Sequence, residues 1–237
     1  MIRLTGISSM ATRHVLADLA EAYQRQCGAG VSVESVGGVE AVRRVHADEP
    51  FDIVVLAADA IDELQAAGRI VQGSRIDLAR SRVAVAVAAG APRPDIGNEA
   101  AVRHAVLDAR SIGYSTGPSG ACLTRLLERW GIAATIQPRM VQAPPGVPVG
   151  ALVARGDVEL GFQQLSELIH LPGIDLVGSL PPEIQADTVF SGAVCTASTR
   201  RETAREFLSF LASADADGAK RRHGMEPTGD RSGLGKS

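Results

Sequence analysis

The feature that most constrains this chain is the repeated alternation of short apolar runs with longer segments of helical periodicity. Residues 51–57 and 83–88 are nearly continuous apolar runs of strand length. Elsewhere apolar residues recur every three or four positions, as Val15, Leu16 and Leu19 do. Strands that alternate with helices indicate a mostly parallel sheet covered by helices, so an α/β fold is predicted.

The same pattern gives approximate bounds for the individual elements. Strands are predicted over residues 2–6, 31–36, 51–57, 83–88, 111–115, 158–162, 175–178 and 189–197. Helices are predicted over residues 11–26, 39–47, 60–67, 99–109, 121–130, 149–154 and 202–212.

The order of these elements predicts two lobes. The strands near 83–88 and 189–197 flank a central α/β block, as two crossover strands around an inserted lobe would. Lobe one is therefore placed at 1–82 plus 192–237 and lobe two at 83–191, with a frayed Gly- and Ser-rich tail at 228–237. Ligands bind at the carboxyl ends of strands in open α/β sheets, so a ligand cleft between the lobes is expected.

Composition argues against several function classes. The formal net charge is −3 and aromatic residues make up 3%, so a nucleic-acid surface with stacking platforms is not expected. No apolar run approaches the roughly 18 residues that span a bilayer, so membrane insertion is not expected. No signal peptide is visible after Met1, which favours the cytoplasm; a trimmed start would be compatible with the periplasm.

Motifs for several kinds of chemistry are also missing from the sequence. It contains no metal-ligand spacing, no phosphate-binding loop of the G-x-x-x-x-G-K-[ST] kind and no nucleophile elbow. No metal and no cofactor are therefore predicted.

Small residues stand at four predicted strand ends, three of which lead directly into a predicted helix. A helix N-terminus offers unpaired amides and partial positive charge, and Gly or Ser lets an anion approach closely. Capping alone is the competing interpretation for the hydroxyl residues. The candidate ligand-binding residues at these junctions are Ser8, Ser9, Gly38, Ser115, Thr116, Ser119, Gly120, Gln163 and Gln164.

Three stretches in order, Gly6-Ile7-Ser8-Ser9, Gly37-Gly38-Val39 and 51–57, resemble the substrate-binding proteins of molybdate-type ABC transporters. Residues 156–162 are similar to a strand of that family, and the resemblance covers roughly the whole chain. It implies a type 2 periplasmic-binding-protein fold, with an ABC transporter membrane component as a possible partner. The anion-holding positions that it implies are Ser8, Ser9, Gly38, Val39, Ser115 and Ser119.

Later stretches resemble a narrower subgroup, which includes bacterial aconitate isomerase. These are residues 161–168, 180–185, 188–191 and 224–227. The subgroup shares the fold but can move a double bond in a tricarboxylate. A Tyr that closes over the oxyanion in many molybdate binders has no counterpart here, because Phe162-Gln163-Gln164 occupies that region. An oxyanion such as molybdate and a di- or tricarboxylate both remain open as ligands.

A carboxylate ligand calls for a cation and, in an isomerase, for a base. Arg82 is the first candidate for the cation and Arg13 the second, because Arg can bind a carboxylate with two bonds. His14 is the candidate catalytic base because imidazole titrates in the right range. Glu40 and Glu167 are alternatives, and for each of these side chains an ordinary surface role competes.

Three functions therefore remain open. The first is a substrate-binding protein that closes over a small anion. The second is an isomerase of the aconitate isomerase type that uses the same cleft. The third is a cytosolic ligand sensor that signals through lobe closure.

Overall fold

The computed structural model describes residues 3–229, and the chain divides into two compact units. Unit 1 contains residues 1–81 and 188–237, and unit 2 contains residues 82–187. The second boundary was predicted after residue 191 and follows residue 187 in the structure. The whole strand Thr188–Val194 belongs to unit 1 because it pairs with strands of that unit. Of the tail predicted to fray, residues 230–237 lie outside the described residues, whereas Thr228 Oγ1 donates a hydrogen bond to the Asp77 carbonyl at 2.9 Å.

The strands and helices are numbered here in chain order. The strands are β1 (Arg3–Ser9), β2 (Gly30–Val36), β3 (Ile53–Ala57), β4 (Ile76–Ser81), β5 (Val83–Ala88), β6 (Ile112–Tyr114), β7 (Met140–Gln142), β8 (Leu160–Gln164), β9 (Ile174–Ser179), β10 (Thr188–Val194) and β11 (Met225–Pro227). The helices are α1 (Arg13–Cys27), α2 (Gly38–His46), α3 (Ala58–Ala66), α4 (Glu99–Asp108), α5 (Pro118–Arg129), α6 (Ala133–Ile136), α7 (Val149–Ala154), α8 (Leu165–Leu168), α9 (Arg201–Ala212) and α10 (Asp217–Arg222).

Unit 1 is built on a sheet with the strand order β11-β4-β10-β3-β1-β2. Strand β3 is buried on both faces. Its residues Ile53 and Val55 pack with Tyr23 of α1 and Phe207 of α9, whereas Val54 and Leu56 belong to a second cluster with α2 and α3. This two-sided burial explains why the strand is a continuous apolar run in the sequence.

Unit 2 is built on a sheet with the strand order β7-β6-β8-β5-β9. Phe162 and Val85 pack on one face with the apolar side of α5. On the other face Ala84 and Ala86 pack against Leu168 of α8. Small residues on this second face let the short helices approach the sheet closely.

Both sheets are mixed, so the prediction of mostly parallel sheets is wrong. Only β1 with β2 and β3, and β6 with β7 and β8, are parallel. These are the strands joined by helical crossovers, as parallel pairing requires. The antiparallel strand β10 comes from a distant part of the chain to pair with β3 and β4, a relation that local periodicity does not encode.

One side-chain amide completes the backbone bonding where the chain enters unit 2. Val83 N donates to Gln185 Oε1 at 2.9 Å, and Gln185 Nε2 donates to the Val83 carbonyl at 3.1 Å. The same Nε2 donates to the Leu180 carbonyl at 3.1 Å. Because Val83 is buried, no solvent can replace these bonds at low cost.

We expect Gln185→Ala to lower the free energy of unfolding by about 1 to 3 kcal/mol, because it leaves a buried amide without a partner. The matched control is Gln142→Ala at an exposed position, where the change should stay within about 0.5 kcal/mol. Chemical denaturation monitored by circular dichroism measures both. Equal effects of the two substitutions would contradict the role given to Gln185.

Candidate functional site

The residues predicted to bind a ligand fall into two groups, one in each unit. In unit 1, β1 runs parallel to β2 and β3, so the carboxyl ends of all three strands lie at one edge of the sheet. Open α/β sheets bind ligands at such edges. The unit 1 half-site is defined here as Ser8, Ser9, Gly38 and Val39.

Ser8 lies inside β1 and is fully buried. The stretch 6–9 was predicted to be a junction, but parallel pairing with β2 continues through Ser9, so the strand is longer than expected. The Ser8 hydroxyl lies 2.8 Å from the hydroxyl of Ser35, its partner in register. Sequence analysis missed Ser35, and a parallel register assigned to the two strands could have found it.

The Ser9 hydroxyl oxygen is buried, and within residues 3–229 no group forms a hydrogen bond with it. Ser9 directly precedes the 3-10 turn Met10–Thr12, yet its side chain does not cap that turn. Capping therefore does not explain this residue. A buried hydroxyl without a partner costs about 1 to 3 kcal/mol, which a ligand oxygen bound at this position would recover.

The first turn of α2 supplies backbone donors to the same edge. Helix α2 starts at Gly38 after Gly37, and among the described side chains none caps this end. The first amides of a helix have no partner within the helix and carry partial positive charge. The Val39 side chain is 74% exposed, so it packs into neither core cluster of unit 1.

In unit 2 the carboxyl ends of β6, β7 and β8 likewise share one edge. The unit 2 half-site is defined here as the segment 115–120, which leads from β6 into α5. The hydroxyl oxygens of Ser115 and Ser119 lie 3.1 Å apart, and Gly117 N donates to Ser115 Oγ at 3.3 Å. Ser119 is buried, whereas Thr116 is exposed.

Gly120 fixes the position of this helix end. A Cβ atom built on Gly120 would lie 1.7 Å from the Ser115 carbonyl oxygen, so only glycine fits. The start of α5 is thereby held directly against the segment that carries the two serines. The helix contains 12 residues, and in the described chain its N-terminus has no side-chain cap.

Gln163 and Gln164 lie in β8 and are both buried, because the strand extends two residues beyond its predicted end. Gln163 Nε2 donates to Glu167 Oε1 at 2.8 Å, and Gly150 N donates to Gln163 Oε1 at 3.3 Å. The Gln163 amide is thus engaged at both ends within unit 2. Burial raises the pKa of the Glu167 carboxyl to about 7, and the bond from Gln163 acts in the opposite direction.

Arg82 lines a small cavity of unit 2. The cavity has a volume of about 220 Å³ and is also bordered by Leu180, Pro182, Gln185 and Asp187. The Arg82 side chain is about half exposed, and its Nε lies 3.7 Å from Asp187 Oδ1. A guanidinium carries five N–H donors and can bind a carboxylate through two of them.

The two candidate bases in unit 1 have other neighbours. The exposed ring of His14 stacks on the ring of His223, with centroids 6.3 Å apart and an angle of 12° between the planes. Arg43 donates to both carboxylate oxygens of Glu40 and holds the pKa of that carboxyl below its usual range. Arg13 is exposed at the start of α1. Glu167 is thus the carboxyl whose pKa lies nearest to neutrality among the predicted bases.

Two other features are absent from residues 3–229. In this part of the chain no cluster of three or more His, Cys, Asp or Glu residues is arranged to hold a metal ion. No helix in the same range combines the length and apolar character needed to cross a membrane.

This chain is similar to known proteins in both its sequence and its fold. The family model of the bacterial extracellular solute-binding proteins matches residues 4–226. A curated relative, aconitate isomerase from Pseudomonas sp., is 39% identical over 232 residues, which cover 94% of this chain and 87% of the relative.

Two solved structures share the fold. The periplasmic molybdate-binding protein of Azotobacter vinelandii aligns with a TM-score of 0.79 at 22% identity, covering 94% of this chain and 98% of that one. The sulfate-binding protein SubI of Mycobacterium tuberculosis H37Rv aligns with a TM-score of 0.75 at 16% identity, covering 98% and 88%. The family resemblance and the α/β fold class predicted from the sequence are therefore confirmed.

We expect Gly120→Ala to lower the free energy of unfolding by about 2 kcal/mol or more, because the added methyl group forces the start of α5 away from Ser115. The control is Gly117→Ala, where the added Cβ would lie 3.7 Å from Ser115 Oγ, an ordinary contact. Thermal denaturation of both variants checks the prediction. Similar midpoints for the two variants would refute the tight contact.

Proposed function

We propose that this chain, which belongs to the bacterial extracellular solute-binding protein family, binds a small anion through hydroxyl groups and backbone amides. The observation that carries the proposal is the buried Ser9 hydroxyl without a partner in the described structure. The Ser9 hydroxyl lies at the same edge of the sheet as the start of α2. No described side chain caps this helix, and its first amides can bind an anion.

The second half-site offers the same chemistry. Ser115 and Ser119 present hydroxyls at the N-terminus of α5, where the helix dipole favours negative charge. Neutral donors of this kind suit the anions named for the molybdate-binding and sulfate-binding proteins that share the fold. We propose that each half-site can supply donors to such an anion. For a transport role, the partner would be an ABC-type membrane component and the protein would act outside the cytosol.

A second candidate function is isomerisation of a tricarboxylate. It is favoured by the 39% identity with an aconitate isomerase along nearly the whole chain. Arg82 would bind one ligand carboxylate. A base would take a proton from the methylene carbon, the double bond would shift, and the same group would return the proton to the far alkene carbon. Glu167 would be the base, because its pKa of about 7 allows both steps near neutral pH, and His14 stays the alternative.

Ser9→Ala tests the binding function with little risk to the fold. Its hydroxyl has no partner in the described chain, so stability should stay the same or rise slightly. Affinity for the ligand should fall about tenfold to a hundredfold, as loss of a bond to a charged group implies. Isothermal titration with the anion that most stabilises the wild type, chosen from molybdate, tungstate, sulfate, phosphate, citrate, cis-aconitate and trans-aconitate, measures the change.

The control for this experiment is Ser213→Ala. The Ser213 hydroxyl donates to the Phe210 carbonyl at 2.8 Å, at the end of α9 and outside both half-sites. Its replacement should leave affinity within a factor of two. Unchanged affinity in Ser9→Ala would remove Ser9 from the site, and absence of binding across the whole panel would refute the proposed function.

The isomerase candidate predicts that wild-type protein converts trans-aconitate into cis-aconitate, as followed by chromatography of the acids. Arg82→Ala should raise KM at least tenfold, because a charged hydrogen bond to the substrate is lost. Arg110→Ala is the control, since Arg110 is exposed and pairs with Glu159 at the opposite edge of the unit 2 sheet. If wild-type protein binds aconitate without converting it, the binding function stands and the isomerase candidate fails.

A further inference from the structure

The side chain of Glu167 lies at the ligand edge of unit 2. Helix α8 begins directly after β8, and β8 runs parallel to β6, so Glu167 and the segment 115–120 follow strand ends at the same edge. Through Gln163, the carboxyl is linked to the amide of Gly150 in the first turn of α7, which follows β7 at this edge as well. The segment 115–120, α7 and α8 therefore all begin at this edge, with α7 and α8 on the face of the sheet opposite to α5.

The surroundings of this carboxyl contain few charges. The strands packed against α8 are β5 and β8, and neither carries a charged residue. Helix α7, which supplies Gly150, carries none either. Three charged or titratable residues lie near α8. The Arg82 carbonyl accepts a hydrogen bond from Leu165 N, His170 follows α8 in the chain, and Asp175 lies in β9 beside β5. Asp175 accepts hydrogen bonds from Gly90 N and lies 3.4 Å from Arg93, so it is compensated by its own partners.

The Glu167 carboxyl has one hydrogen-bond partner in the described structure, so its protonation state can change. Within the described residues, Glu167 accepts a hydrogen bond only from Gln163, through Oε1. The residue is half-buried, so it is within reach of solvent protons. An ionised carboxylate at this position has little to stabilise it, and a second negative charge at the same edge would destabilise it further.

We propose that Glu167 couples anion binding to proton uptake, so that the protein takes its ligand together with one proton. The inference rests on the proposed anion-binding function and concerns the regulation of the same site. The proton enters from solvent and stays on the Glu167 carboxyl, and the anion itself is not altered. The affinity for the anion is high when the Glu167 carboxyl is neutral. It is lower when the carboxyl is ionised, because the two negative charges repel each other.

The sign of the pH dependence follows from this scheme. Burial raises the pKa of free Glu167 to about 7, and a bound anion raises it further, since like charges disfavour ionisation. Affinity is therefore highest below pH 6 and falls as pH rises through about 7. For charges separated by roughly 10 Å at an effective dielectric constant of about 20, the affinities of the two protonation states differ by about tenfold or more.

The test is isothermal titration of the full chain with sulfate or molybdate, or with an aconitate if only that binds, at pH 6.0 and pH 8.5. Wild-type affinity should fall about tenfold across this interval, and that of Glu167→Gln less than twofold. The control is Glu159→Gln, because the amide and guanidinium of Arg110 hold the pKa of Glu159 below its usual range. Glu159 stays ionised over the interval, so its variant should keep the wild-type slope.

A second measurement depends on wild-type protein alone. Titration at pH 7.5 in two buffers with different ionisation enthalpies gives the number of protons taken up, and about half a proton or more per anion is expected. Binding without proton uptake, or the same pH slope in Glu167→Gln as in wild type, would overturn this inference and leave the proposed function intact. Absence of binding by every anion would overturn both.

Discussion

The contact between Gly120 and Ser115 fixes the positions of the groups in the unit 2 half-site. With no side chain at residue 120, the first turn of α5 lies directly against the Ser115 carbonyl, and the hydroxyls of Ser115 and Ser119 come within 3.1 Å of each other. Two neutral donors and the positive end of a helix dipole thus share one small volume. A side chain at residue 120 would push the start of α5 away from Ser115 and separate these groups. The packing of the backbone therefore positions the hydroxyls and the helix end.

Unit 1 also has hydroxyl groups at one edge of its sheet, but they are positioned by different elements. There the hydroxyl donors belong to a strand rather than to a helix start, because parallel pairing with β2 carries β1 through Ser9. The hydroxyl of Ser8 is engaged by Ser35, whereas that of Ser9 is buried without a partner in the described chain. The two neighbouring serines, equivalent in the sequence, therefore differ in the structure: Ser8 joins two strands, and Ser9 is the residue proposed to bind the ligand.

Local sequence signals predicted most of the strands and helices. The remaining strands and the side-chain partners depend on contacts between distant segments of the chain. The bounds of β5 and α7 agree with their predicted bounds of 83–88 and 149–154, since apolar runs and helical spacing are local properties. Strand β4, which lies between β10 and β11, was not predicted, because its apolar residues are interrupted by Asp77 and Arg80. Gln163 was predicted from its place in the chain to bind a ligand, and the sequence did not predict that its amide is hydrogen-bonded to Gly150 and Glu167. Side-chain partners of this kind depend on tertiary packing.

Ser9 and Glu167 are both polar groups that this fold leaves incompletely satisfied, and they respond to an anion in opposite ways. A bound oxygen supplies the partner that Ser9 lacks, so the ligand recovers free energy that the empty protein has lost. The same negative charge makes ionisation of Glu167 more costly, so the ligand favours the protonated carboxyl. Under the proposed coupling, the affinity of the unit 2 half-site for an anion is highest when Glu167 is protonated, so this affinity depends on pH.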